Sequence, residues 1–75
     1  MDGVIVPESF VICAFRYALG RQTYVVGEVV EWLKYNFQFL SDFHKSLIKK
    51  ETQEAIDRGI ISDIDLPWWQ SVLQL

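Results

Sequence analysis

The chain has 75 residues, a formal net charge of −3 and a pI near 4.9, and 51% of its residues are hydrophobic. This length predicts one domain, near the lower limit for a self-sufficient core, and the many large apolar side chains help to offset the entropy cost of folding. The acidic balance disfavours direct binding to nucleic acid or to an anionic membrane, because both ligands attract clustered Lys and Arg. The apolar surplus is also compatible with a partner surface, in a monomer or a homodimer.

Cys13 is the only cysteine, so no intramolecular disulfide can form, which suits a reducing cytoplasm. Its neighbours are apolar, and we expect a buried, inert thiol. The residues 1–3 lack the basic region of a secretion signal, and the longest apolar run, residues 10–15, is too short to cross a bilayer. We therefore expect a cytoplasmic protein that does not associate with a membrane.

The first predicted helix spans about residues 7–19, with Pro7 at its start and Gly20 as its stop. Apart from Arg16 it is apolar nearly all round, so we expect it to be central to the core. Its two apolar faces are Phe10, Cys13, Ala14 and Tyr17, and Val11, Phe15 and Ala18. A buried strand over residues 10–15 is the competing interpretation, but length and alanine content favour a helix.

Three more helices follow, at about residues 25–36, 42–58 and 66–74. The second has an apolar stripe formed by Val26, Val29, Val30, Leu33 and Phe37. Ser41 is a good N-cap for the third, Gly59 is its terminator, and Ile60 and Ile61 are expected to pack against its last turns. Pro67 fits the start of the last helix. The predicted fold is an all-α, small single-domain bundle of three to four helices.

Candidate catalytic and metal-binding groups are few. His44 is the only histidine and has no partner at ligand spacing, so no zinc site is expected, and its spacing favours a packed or half-buried imidazole. Cys13 and His44 could form a nucleophile pair, but an apolar helix does not favour a thiolate. We interpret the chain as a non-enzyme without a metal or cofactor.

Arg16 and Arg21 are the first candidate binding residues, with Tyr24 close by in the sequence. An arginine in an apolar helix must reach a carboxylate, a carbonyl or water. One interpretation makes Arg16 an anchor to a carboxylate on another helix. The other has both arginines presenting planar donors to a partner's carboxylates or phosphates.

Two further features can carry binding. Trp68 and Trp69 point about 100° apart on a helix, so we expect one in the core, while the other is either an exposed anchor or also wedged against the core. The second feature is the acidic C-terminal half, which is either a solvated face or a patch that binds protein or mimics DNA. The acidic candidates for partner contact are Glu54, Asp57, Asp63 and Asp65.

The stretch Ala14-Phe15-Arg16-Tyr17-Ala18-Leu19-Gly20-Arg21, followed by Thr23-Tyr24-Val25, resembles a motif of small proteins encoded by phages and mobile elements of Gram-positive bacteria. The similarity is dense from about residue 10 to 30, and beyond that only the layout is shared. The resemblance implies a phage origin and the cytoplasm of a bacterial host. It transfers no catalytic residue.

Small, acidic, non-enzymatic phage proteins of this kind are often inhibitors of host defence. The leading hypothesis is therefore an anti-CRISPR or anti-restriction protein that binds a host protein or nucleoprotein complex, such as a CRISPR effector nuclease. The alternative is a small helical structural or adaptor domain of a phage or mobile element, either a monomer or a homodimer. Direct DNA binding through Lys45, Lys49 and Lys50 is disfavoured by the net charge.

Overall fold

A computed structural model describes residues 6–19 and 26–75 of the chain. In chain order the helices are α1 (Glu8–Ala18), α2 (Val26–Phe37), α3 (Asp42–Asp57) and α4 (Leu66–Val72). The expected all-α single domain is confirmed. The predicted helix ends that fall in the described ranges lie within two residues of the observed ends, whereas the predicted start at residue 25 lies outside those ranges.

The ends of α3 follow the sequence signals. The hydroxyl of Ser41 accepts a hydrogen bond from the backbone N–H of His44, which satisfies one of the free donors of the first turn. At the other end Gly59 has a φ of 72°, its N–H donates to the carbonyl of Ile56, and the next N–H donates to Ala55. This pattern stops a helix because a left-handed residue turns the chain back over the last carbonyls. Of the two expected apolar locks, Ile61 packs against the core and Ile60 is exposed.

The two prolines stand at helix starts. Pro7 is the N-cap of α1 rather than its first residue, and its carbonyl accepts from the N–H groups of Phe10 and Val11. Pro67 is the second residue of α4, where its missing N–H leaves no helical hydrogen bond unmade.

The helices surround one core, with α1 packed on α2 and α3, and α4 packed on the same two helices. Each of the four helices contributes buried residues to this core. The fully buried rings of Phe15 and Trp69 meet edge to face within it, with centroids 5.9 Å apart. The buried apolar residues are Val11, Ile12, Phe15, Ala18, Val26, Val30, Leu33, Leu40, Ile48, Ala55, Trp69 and Val72.

Two expectations for α1 are wrong. The helix is not surrounded by the core, because Phe10 and Tyr17 are more than half exposed, and Cys13, expected to be buried, is also exposed. The buried residues of α1 lie on one side and include Ile12, which the two predicted faces omitted. An apolar face must be covered by another element to be buried, and the side of α1 that carries Phe10, Cys13 and Tyr17 remains largely exposed in the described structure.

Candidate protein-binding surfaces

Arg16 is paired within the molecule. Its Nε donates to Oε1 of Glu51 at 3.0 Å and its Nη2 donates to Oε2 at 2.8 Å, which joins α1 to α3. These bonds and the charge of Glu51 raise the pKa of Arg16 above its ordinary value. Two parallel bonds use the planar fork of the guanidinium, a geometry that lysine could not supply. The interpretation of Arg16 as an anchor to another helix is confirmed, although the pair lies at the surface and not in the interior.

A second polar link joins the first turns of the same two helices. The Oε1 of Glu8 accepts from the backbone N–H of Ser41, while its Oε2 accepts from the Ser41 hydroxyl at 3.2 Å and contacts Nδ1 of His44. The hydrogen bond from His44 is the largest cause that lowers the pKa of Glu8, and the two bonds from Ser41 lower it further. His44 is half-buried, as expected.

The arrangement at Glu8 does not form a proton relay. The Ser41 hydroxyl and the Glu8 carboxylate both contact Nδ1 of His44, so the imidazole does not lie between the serine and the acid. A nucleophile activated by histidine requires the hydroxyl on one ring nitrogen and the carboxylate on the other. This geometry supports a structural role for the cluster, namely alignment of α1 with α3.

The two adjacent tryptophans have different environments. Trp69 is fully buried, and Trp68 is 39% exposed with its ring against Gly27 of α2. Of the two alternatives, the structure shows one core indole and one exposed indole, with Trp68 as the exposed one. Trp69 is corrected from a candidate contact to a core residue, because its position under α1 leaves no surface for a partner. Trp32 is half-buried and packs against the core.

The acidic candidates divide in the same way. Glu54, Asp57 and Asp63 are exposed, but Asp65 is buried and accepts a hydrogen bond from the Ser62 hydroxyl. We therefore correct Asp65 to a structural residue that closes the turn before α4. Two apolar side chains near these carboxylates in the sequence are also exposed. Ile60 is half exposed and Ile64 is 86% exposed.

We call residues 54–64 the acidic-isoleucine segment. It comprises the last turn of α3 and most of the loop to α4. The sequence interpretation found its carboxylates but assigned Ile60 to the helix lock and did not consider Ile64. The sequence did contain a signal for the exposure of Ile64. This residue stands between Asp63 and Asp65, in a short turn that cannot bury all of its side chains.

The aromatic residues of α1 and α2 form another surface that the sequence interpretation assigned to the core or left unused. Phe10 meets Trp32 edge to face at 5.9 Å, and Tyr35 meets Phe39 in the same way at 6.0 Å. We call the neighbouring groups along α1, along α2 and just after α2 the aromatic face; all of them are exposed except Trp32, which is half-buried. Its members are Phe10, Cys13, Tyr17, Trp32, Tyr35 and Phe39.

Two lysines of α3 contact an aromatic ring. The ammonium groups of Lys45 and Lys49 lie 5.8 and 6.0 Å from the centre of the Phe37 ring, within the range of a cation–π contact. Two of the three lysines considered for DNA binding therefore lie beside an aromatic ring of the protein itself.

Arg21 and Tyr24, the remaining candidates, lie outside the described residues. Across the described ranges, no group of three or more His, Cys, Asp or Glu side chains is placed to hold a metal ion. The same ranges contain no helix with the length and apolar character needed to cross a membrane.

Comparison with protein-family models, with curated proteins and with solved structures finds no match to this chain.

Proposed function

We propose that the protein is a non-enzymatic accessory protein of a phage or mobile element that binds a host defence complex and inhibits it by covering a protein surface. The target is of the CRISPR or restriction type, and the host cytoplasm is the place of action. The motif around residues 14–25 supports the origin. Inhibition by coverage requires a folded domain that presents a contact surface and needs no catalytic group.

The acidic-isoleucine segment is the observation that carries this proposal. It contains three exposed carboxylates, at Glu54, Asp57 and Asp63, and two exposed isoleucines, of which Ile64 is 86% exposed. Protein interfaces commonly have an apolar centre within a polar rim, and this segment has that composition on a small scale. Its charge is complementary to a basic groove that otherwise holds the phosphates of a nucleic acid. Nuclease complexes of both types must contain such grooves to hold their DNA.

A plating assay tests the function. Bacteria with a CRISPR or a restriction system are challenged with a sensitive phage, with and without expression of the protein. We expect expression to raise the efficiency of plating, because the protein protects the phage from the defence system. Absence of protection in both systems would contradict the proposal.

Paired charge reversals test the surface. Glu54→Lys with Asp63→Lys should remove protection, because two attractive contacts become repulsive. The matched control is Glu28→Lys with Glu31→Lys, which changes the net charge equally on α2 and should retain protection. Circular dichroism and immunoblotting establish that both variants are folded and equally abundant. Equal loss in both variants would assign the effect to net charge and reject this segment as the contact surface.

Binding of a purified effector complex is the direct measurement. The wild-type protein should bind the complex and compete with its DNA, while Ile64→Asn should bind more weakly because the apolar centre of the contact is lost. A protein that binds neither type of complex and leaves the efficiency of plating unchanged would fit the alternative of an adaptor domain that serves the mobile element itself.

A further inference from the structure

We infer that the aromatic face is a self-association surface, occupied in solution by the same face of a second copy of this chain. The inference is independent of the proposed host target, because it concerns different residues, along α1 and α2. It rests on the continuity, the size and the charge of the exposed aromatic groups.

The face is continuous across two helices. Phe10, Cys13 and Tyr17 follow one another at spacings of three and four residues, which places them along one side of α1. The contact between Phe10 and Trp32 joins this stripe to α2, and the contact between Tyr35 and Phe39 extends it past the end of that helix. With a rise of about 1.5 Å per helical residue, the joined stripes span roughly 20 Å. The longest extent of the domain is 34 Å.

Its apolar area matches the requirement of a dimer. Phe10, Tyr17, Tyr35 and Phe39 are 55%, 67%, 57% and 65% exposed. At roughly 200 Å² per aromatic side chain, these four rings leave on the order of 500 Å² of largely apolar surface in water. A standard interface covers about 800 Å² per partner and is about 65% apolar in homodimers, so the face supplies the apolar part of one such interface. On natural soluble proteins an exposed apolar patch of roughly this size is often functional.

The charge of the face favours a copy of itself over an oppositely charged partner. Its six members carry no formal charge, whereas the whole chain carries −3. Two copies that met through their acidic surfaces would repel each other. Two copies that meet through the aromatic face bring together its uncharged groups and leave the exposed carboxylates of Glu28 and Glu31, one helical turn before Trp32 and Tyr35, at the rim of the contact. Tyrosine and tryptophan also supply polar atoms that can form hydrogen bonds across the interface while the rings are covered.

Sedimentation equilibrium over a range of concentrations tests the inference. We expect the wild-type chain to form a dimer, and Phe10→Glu and Tyr35→Glu each to raise its dissociation constant roughly tenfold or more, because a carboxylate would lose water at the contact. Ile64→Glu is the matched control, since it adds the same charge at the most exposed isoleucine, and it should leave the dimer intact. Helix content measured by circular dichroism identifies any variant that has lost the fold. If one of the two face variants is unfolded, the dissociation constant of the other one tests the inference.

The thiol of Cys13 supplies a second measurement on the unmodified chain. This side chain is exposed in the single copy, so a thiol reagent should modify it quickly at low protein concentration. Its reaction should slow at concentrations where the dimer forms, because the second copy covers it. A wild-type chain that remains monomeric at millimolar concentration, or a dimer that both face variants leave unchanged, would overturn the inference. A dimer in which Cys13 reacts at an unchanged rate would also place the interface elsewhere.

Discussion

The guanidinium of Arg16 on α1 forms two parallel hydrogen bonds with the carboxylate of Glu51 on α3, at 3.0 and 2.8 Å. Glu8 links the start of α1 to the start of α3 through Ser41 and His44. The two links are about 12 Å apart along α1 and about 10 Å apart along α3 at 1.5 Å per residue, so the two helices run in the same direction. Two polar connections at that separation fix the register of α1 on α3.

The pair of Arg16 and Glu51 should show coupling in a double-mutant cycle. Arg16→Gln and Glu51→Gln should each lower the midpoint of urea denaturation, and the double variant should lose less than the sum, because each single variant leaves one charged group without its partner. The effect should be small, since the arginine is half exposed, and it should shrink in high salt. Additive single effects would show that the pair does not contribute as a unit.

The lowered pKa of Glu8 predicts a dependence of stability on pH. Because the folded state holds this pKa below its ordinary value of 4.5, chiefly through His44, the folded state favours the ionised carboxylate. The resulting stabilisation is complete above the unfolded pKa and is lost as the pH falls through the folded pKa.

The measurement is the unfolding free energy of wild type and Glu8→Gln between about pH 3 and pH 6. The wild type should be the more stable at the upper end, and the difference should narrow below pH 4.5, where the carboxyl becomes protonated. Glu28→Gln removes an exposed carboxylate of α2 and serves as the control, with a smaller difference expected. A difference for Glu8→Gln that widens on acidification would reverse the assigned sign.

Gly27 and Trp68 predict an unusual response to alanine. Replacement of a helical glycine by alanine normally stabilises by up to about 1 kcal/mol. A Cβ on Gly27, however, would lie 2.9 Å from Cζ2 of Trp68, so the indole must move. We expect Gly27→Ala to destabilise by about 1–3 kcal/mol, as in an overpacked site, and to shift the tryptophan fluorescence.

The same substitution in a Trp68→Ala background is the control, because the obstructing ring is then absent. Gly27→Ala should there become neutral or stabilising. If it destabilises equally in both backgrounds, the contact with Trp68 is not the cause.

The two tryptophans should respond differently to truncation. Trp69→Ala should cost about 3–5 kcal/mol, because it removes a buried ring at the centre of the core, and in so small a domain this approaches the total stability. Trp68→Ala should cost less, because part of its ring is already in water. Trp69→Phe should retain the fold, since its indole N–H is buried without a hydrogen-bond partner in the described structure. Thermal unfolding followed by circular dichroism gives the order, and equal losses at both positions would contradict it.

Local signals predicted the helices well. The residues that bound the helices are Ser41, Gly59 and the two prolines. They act through backbone groups within a few residues, so their effect on helix ends can be predicted without knowledge of the fold. The same reasoning was less successful on α1. A helix that is apolar nearly all round has no pattern to show which side is covered, and the exposure of Cys13 followed from the positions of the other helices.

The sequence alone could only partly distinguish residues that contact a partner from residues that support the fold. The sequence showed that Arg16 needs a partner, but the partner is 35 residues away, and no local rule selects Glu51 among the carboxylates of the chain. It also showed that Trp68 and Trp69 must differ. The choice of Trp69 for the interior depends on Phe15, whose ring it meets across the core.

By itself, the sequence determined an acidic, all-α domain with helices bounded by identifiable caps and with too many apolar side chains for one small core. Tertiary packing decided which of those side chains the core would hold. Composition and capping act locally, whereas burial is a competition among all apolar surfaces for a limited interior. Phe10, Tyr35 and Ile64 remain outside that interior. Their exposure, which no local pattern specifies, defines the surfaces on which the proposed interactions depend.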